Sequence, residues 1–479
     1  MYKNKILEKN KLNKKIKTGV IWTGIDFLSK AGLQFVLQLF LAKLLFPSDF
    51  GIIGMAMVFS VIIQAFVDFG FASALVQMSE EEVSDKTFNT AFWTGFTLNL
   101  LVYLLLCIII GPLVARFYNE PILVYVFPVL SLNIIFNSFN MIQLVKLTRD
   151  LQFSKLAAVN FTGNFIACII SIIMAYNGFG LWSIAVNGAL TSLVCLPLYL
   201  YFNRWLPSFS WENKEIRKIF SFGIYATGTQ LTNNITSQID YLLIGKLVDK
   251  YNVGIYSFSF QITSIIRSSV VGVVSKVMYP IYAKIRDEKL ALKNYYGQIV
   301  RFNTMIVSYI MILLFLYVEP ILEFFYGDKW DEAIYVIKIL SISSIVYVLA
   351  GSNTSLIRAL GRAALEFKIQ LFKTFFLYIP SIIIGTYYYG IIGTAWSIVF
   401  NGIVSVIIAM YFMKKLLGFT YKDLFYSIYK TFVIIFFVII VHFSFLTNNQ
   451  YLKLSISIFI LILGTLVFQG KDIIKVLKK

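Results

Sequence analysis

Apolar runs broken by short polar stretches fill almost the whole chain. About fourteen of them are long enough to cross a bilayer as a helix, which takes roughly 20 residues. The pattern places them near 18–45, 49–77, 88–112, 121–146, 153–176, 179–202, 216–247, 251–275, 302–318, 332–357, 366–388, 390–413, 424–445 and 452–469. A membrane β-barrel would instead show ten-residue segments of alternating polarity. The predicted class is an all-α polytopic membrane protein. The longest stretch outside the spans is about 276–301, too short for a soluble domain.

Two phrases recur. "WSIAVNG" at 182–188 and "WSIVFNG" at 396–402 are 214 residues apart, in the sixth and twelfth spans. "KLLFPSDFGI" from Lys43 and "KLVDKYNVGI" from Lys246 are 203 apart, each joining the first two spans of a half. A longer loop after the eighth span accounts for the difference in offset. "LQF" at 151–153 and "LEF" at 365–367 give a weaker third echo. These echoes predict two parallel six-helix repeats, an arrangement that places a cavity between the halves. The expected organisation is a basic segment 1–17, a bundle 18–202, a linker 203–215, a second bundle 216–413, two added spans in 424–469 and a basic tail 470–479.

Composition agrees with the pattern. Of 479 residues, 58% are hydrophobic and 14% charged, with mean hydropathy +0.77. Soluble chains are nearer 25% charged. The net charge of +18 does not point to nucleic acid, because the basic residues sit between apolar runs. With both termini cytoplasmic, inner segments hold 33 of the 42 Lys and Arg and the outer ends hold seven. That asymmetry sets the predicted orientation. The opening "MYKNKILEKNKLNKKIK" suits an anionic leaflet. The run after it is too long for a signal peptide and lacks a small-residue cleavage site. Cys107, Cys168 and Cys195 all fall inside spans and read as packing residues. His442, the only histidine, reads as interfacial. No cofactor or metal site is expected. Pro128, Pro197 and Pro380 interrupt spans and are candidate kinks.

Ionisable residues at membrane depth are costly and usually face a cavity or a partner. In the first span Thr23, Asp26, Lys30, Gln34 and Gln38 share one helical face. Asp26 and Lys30 are one turn apart, so they are either a self-neutralised pair or part of a site. The seventh span puts Tyr225, Thr229, Asn233, Thr236 and Asp240 on one face, with Asp240 towards an outer, solvated end. The eighth carries Ser257, Gln261, Ser264 and Ser268, with Arg267 at the edge of that stripe. Arg267 calls for an anion: Asp26, Asp240 or a substrate. Two cations in a cavity suit an anionic ligand, since Arg offers a fork of donors and Lys a point charge. Candidate cavity residues are therefore Lys30, Arg267, Asp26, Gln34, Asn233, Asp240 and Gln261, with Asp26 and Asp240 as candidate ion-coupling groups.

"FPSDFGIIGMAMVFSVIIQAFVDFGFASALVQ" (46–77), "LTRDLQFSKLA" (147–157), "GFGLWSIAVNG" (178–188) and "QIDYLLIGKLVDKYNVGIYSFSFQI" (238–262) together resemble the polysaccharide transporter family, the Wzx-type flippases. The resemblance spans nearly the whole chain. It implies the multidrug/oligosaccharidyl-lipid/polysaccharide exporter fold in an inner (cytoplasmic) membrane. It implies export of an isoprenoid-diphosphate-linked oligosaccharide for a capsule, O-antigen or exopolysaccharide, among membrane lipids and beside polysaccharide polymerase machinery. Such flippases have cationic cavities, for which Lys30 and Arg267 are the matching candidates. No GxxxxGK[ST] motif is present, so nucleotide hydrolysis is not expected to drive transport. The rivals are a multidrug/cation antiporter of the same superfamily and a membrane glycosyltransferase or polymerase. Cationic drugs would favour an anionic cavity. The enzymes would favour a large outer loop, and "VEPILEFFYGDKWDEA" (318–333) is modest.

Overall fold

The structure is a computed structural model that describes residues 2–67, 71–78, 83–212, 234–444 and 449–477. Among these residues there are helices and connecting turns but no strands. Eleven helical stretches are long and apolar enough to cross a membrane. Two of those exceed a single crossing, at 71 residues (Lys289–Ala359) and 54 residues (Ala364–Leu417). The chain is a polytopic membrane protein. Tyr225, Thr229 and Asn233, and most of the predicted seventh span, lie outside the described residues.

The chain divides into two compact units, Met1–Gly254 and Ile255–Lys479. The first contains α1 (Tyr2–Leu44), α2 (Pro47–Val67), α3 (Phe71–Gln77), α4 (Asp85–Leu105), α5 (Gly111–Tyr118), α6 (Leu123–Arg149), α7 (Phe153–Tyr176), α8 (Trp182–Ala185), α9 (Asn187–Phe202) and α10 (234–247). Helix α11 (Lys250–Lys284) begins in it.

Local chemistry explains where these helices start and stop. Ser84 caps α4: its hydroxyl accepts from Thr87 N–H at 3.3 Å, and its own N–H donates to the Thr87 hydroxyl at 3.1 Å. A π-helical turn, Leu106–Ile110, runs α4 into α5, and Asn119 in the left-handed region (φ 58°) ends it. Between α7 and α8 the chain turns through Gly178 (φ 81°) and Gly180 (φ 57°), a region that favours glycine. Residues 203–212, in the expected linker, are non-helical.

Packing in the first unit sets α1 against α7 and interleaves α4, α6, α7 and α9. Leu75, Phe92, Ile142 and Val145 form one core, and Leu147, Val159, Cys195 and Tyr199 another. Small residues let the helices close: a Cβ at Gly163 on α7 would overlap Cys195 Sγ on α9.

The two Lys-Leu…Gly-Ile phrases meet inside this unit. A Cβ at Gly51 would overlap the carbonyl oxygen of Lys250, and one at Gly254 would overlap the carbonyl oxygen of Pro47. Each glycine therefore lies against the backbone that opens the other phrase's helix. Both turns are held by an Asp: Asp49 Oδ2 accepts from Phe46 N–H at 3.0 Å, and Asp249 Oδ1 from Asn252 N–H at 2.8 Å.

The second unit contains the rest of α11, then α12 (Lys289–Tyr326), α13 (Asp331–Val348), α14 (Asn353–Ala359), α15 (Ala363–Phe372), α16 (Ile379–Leu417), α17 (Tyr421–Phe443) and α18 (Gln450–Leu477). The expected loop 276–301 is mostly helical, because α11 and α12 run past their apolar middles. Tyr282, Leu292 and Tyr296 from these extensions are buried with Met413 and Phe419. A π-helical turn (Lys373–Tyr378) precedes α16, so Pro380 stands in the first turn of α16, where its missing N–H costs little. Gly390 (φ 57°, ψ −141°) breaks α16 at the first residue of the predicted twelfth span. Its arms then pack closely: Cβ atoms at Gly385 and Gly393 would each overlap the other's backbone. Helix α17 is capped by Thr420 and Asp423, and Asp423 also pairs with Lys293 at 2.9 Å.

Candidate substrate site

The predicted polar residues divide between the units. In the first, Lys30 Nζ lies 3.5 Å from Asp26 Oδ2, so the one-turn pair forms. It is not sealed: the Lys30 side chain is 43% exposed and that of Asp26 22%. Asp26 Oδ1 is buried and makes no hydrogen bond. Gln34 is exposed one turn further on, and Gln38 is buried with its Nε2 unbonded. Asn233 lies outside the described residues. Asp240 corrects the expectation of a solvated outer end: it is fully buried, and its Oδ1 accepts from Tyr241 N–H at 3.0 Å.

In the second unit Gln261 is half-buried on α11, and its backbone carbonyl accepts from Ser264. Arg267, two turns on, pairs with no carboxylate among the described residues. Its guanidinium lies 4.5 Å from the Tyr347 ring centre and 5.8 Å from that of Phe260. Aromatic faces attract the cation through their quadrupole and leave its hydrogen-bond donors unspent.

The first unit encloses a cavity of about 600 Å³ that the sequence reading did not assign. Lys30 from α1 and Gln64 from α2 reach it, and asparagine is the commonest residue in its walls. Asn99 comes from α4, Asn133, Asn137 and Asn140 from α6, Asn160 and Asn164 from α7, and Asn187 from α9. The spacing was legible, since residues three or four apart share a helix face. Charge drew attention to other spans, while neutral amides passed as packing groups.

A partial hydrogen-bond network holds the amides in place. Asn99 Nδ2 donates to Ser138 Oγ at 2.8 Å, and Asn140 Nδ2 to the Ser192 carbonyl at 2.8 Å. Ser192 Oγ donates to Asn133 Oδ1 at 2.6 Å. Tyr199 OH donates to Asn160 Oδ1 at 3.3 Å, and Asn187 Nδ2 to Ser171 Oγ at 3.0 Å. Asn140 is only 4% exposed, yet its Oδ1 has no donor. No carboxylate lines the chamber among the described residues, and Lys30 is its one charged group there. Among the described residues, no group of three or more His, Cys, Asp or Glu is placed to hold a metal ion.

Membrane-crossing helices around a polar chamber define a polytopic helical protein with the fold of membrane exporters. The lipid II flippase MurJ, in an inward closed conformation, superposes with a TM-score of 0.75 over 95% of this chain and 100% of that one, at 17% identity. An inward-facing multidrug resistance MATE family transporter of the MOP superfamily gives 0.65 over 82% and 98%, at 14% identity. A family model described as "Polysaccharide biosynthesis protein" matches residues 40–335, and the chain belongs to that family. It is 23% identical to the teichuronic acid biosynthesis protein TuaB of Bacillus subtilis, over 88% of this chain and 87% of that protein. It is 22% identical to the lipopolysaccharide biosynthesis protein WzxC of Escherichia coli, over 88% and 85%.

Proposed function

We propose that this protein is a flippase that carries an isoprenoid-diphosphate-linked oligosaccharide across the cytoplasmic membrane for surface polysaccharide synthesis. The carrying observation is a polar, carboxylate-free chamber with one cation, Lys30, in a member of a polysaccharide biosynthesis family. Relatives named for polysaccharide biosynthesis and a fold neighbour named as a lipid II flippase support the substrate kind. The chain acts as a transporter, not as a glycosyl-transferring enzyme. An antiporter for cationic drugs would need carboxylates where the chamber has amides.

The Lys and Arg distribution supports cytoplasmic termini. Two six-helix repeats would alternate access, with the lipid tail remaining in the bilayer. Lys30 would receive the diphosphate in the first unit and Arg267 would offer a second cation in the second. Asp26 suits a coupling role. Its Oδ2 lies 3.5 Å from Lys30 Nζ, and its Oδ1 makes no hydrogen bond. A polymerase would take the delivered substrate outside.

The test is transport in proteoliposomes, following access of an isoprenyl-diphosphate-linked oligosaccharide to each face. Hydrogen bonds to charged groups contribute about 1.5–3 kcal/mol. Lys30→Ala and Arg267→Ala should each slow translocation roughly 10- to 100-fold. Wild-type rates in both folded variants would remove the site. Glycosidic bond formation by the purified protein alone would remove the transporter reading.

A further inference from the structure

The chamber is more than a neutral space beside Lys30. We infer that it is a sugar-reading subsite, taking the neutral hydroxyl- and acetamido-bearing sugars next to the diphosphate. This rests on the flippase reading and names what the site recognises.

Four observations carry it. An asparagine amide presents a donor and an acceptor without charge, which complements a sugar hydroxyl or an acetamido group. Such groups stay available: Asn137 makes no side-chain hydrogen bond among the described residues and faces the chamber. The Oδ1 of deeply buried Asn140 is also unbonded. A buried carbonyl oxygen without a donor is a cost to folding, and so calls for an explanation beyond packing.

Arrangement is the second observation. Asn133, Asn137 and Asn140 are one turn apart on α6 and cover about 10 Å of helix. That length suits a short run of linked pyranoses. Third, the volume of about 600 Å³ falls within the usual range for a small ligand and excludes a long polymer. Fourth, drug sites are rich in aromatic side chains. Among the described residues the only aromatic one lining this chamber is Tyr199, whose hydroxyl is turned to Asn160, while Ile134, Met141 and Leu144 share the wall with the amides. Asparagine also serves as interhelical glue in membranes, as Asn99, Asn140 and Asn187 do here, so the reading rests on the groups left over, Asn137 and the Asn140 Oδ1.

The experiment measures binding to the full-length protein in nanodiscs. The probes are an isoprenyl diphosphate, and the same lipid bearing a neutral disaccharide with one N-acetylhexosamine. Wild-type protein should prefer the glycosylated lipid at least tenfold. Asn137→Leu should reduce that preference towards unity and leave the affinity for the bare lipid and the thermal midpoint unchanged. Asn140→Leu should reduce the preference likewise and lower the midpoint, since Asn140 donates to the Ser192 carbonyl. Lys30→Ala should weaken both lipids alike and keep their ratio. Equal affinity of wild type for the two lipids, or an undiminished preference in folded Asn137→Leu, would overturn the subsite and leave the flippase intact. No binding of either lipid would overturn both.

Discussion

The phrase Trp-Ser-Ile-x-x-Asn-Gly is folded once in each unit, and its two copies end in opposite surroundings. In both, the Asn donates to a Ser on the preceding helical arm: Asn187 to Ser171 at 3.0 Å, and Asn401 to Ser381 at 2.6 Å. That bond closes a helical hairpin. Beyond it the copies part. Asn187 lines the chamber, and a Cβ at Gly188 would meet only the Asn133 side chain, at ordinary contact distance (3.5 Å). Asn401 is 8% exposed and also donates to the Ser397 carbonyl, and a Cβ at Gly402 would press on Val346 at 3.2 Å. The motif itself is scaffold. What differs is the helix opposite, α6 with its amides or α13 with Val346. Counting 214 residues on from Asn133 reaches Tyr347, the ring against Arg267. One unit offers amides beside a cation, and the other offers a cation on an aromatic face.

Substitutions can break that contrast, starting with the tight seam. Gly393→Leu should leave no monodisperse protein on size-exclusion chromatography, because a side chain there overlaps the Gly385 backbone. Gly188→Ala should purify normally, and an equal loss in both would deny that the two hairpins differ. Next is Tyr347→Leu. The ring is 47% exposed, and a cation–π contact at an exposed site is worth about 0.5–1 kcal/mol, so transport should fall roughly 2- to 5-fold. Retained activity would mean that Arg267 needs no aromatic support.

Stability measurements sharpen the comparison. Asn401→Leu removes the bonds of a buried amide to Ser381 Oγ and to the Ser397 carbonyl and should cost about 1–2 kcal/mol in detergent unfolding. Asn187→Leu removes one interhelical bond at a partly open site, nearer 0.6 kcal/mol, with transport falling more than stability. The reverse order would place the open chamber in the other unit. Least of all, Trp396→Ala should shift stability by under about 0.5 kcal/mol, since Trp396 is half exposed.

Fold class was legible because membrane-length apolar runs leave few alternatives, and the break at Gly390 stands where the predicted twelfth span begins. The first-span pair was legible because helical spacing fixes Asp26 beside Lys30. The chamber was not, for two physical reasons. Amides cost less than charges at membrane depth, so they stand out less. Their convergence also depends on how α4, α6, α7 and α9 pack, which no single-helix periodicity contains. The surroundings of Arg267 failed similarly: a search for a counter-anion passes over a ring 80 residues away.

The reciprocal seating of Gly51 and Gly254 makes each copy a constraint on the other. Each glycine sits against the backbone that opens the other's helix, so a side chain gained by either would push the opposite copy away. Two copies of one phrase are thus each other's censors at this crossing: neither tolerates a side chain at its glycine while the other keeps its place.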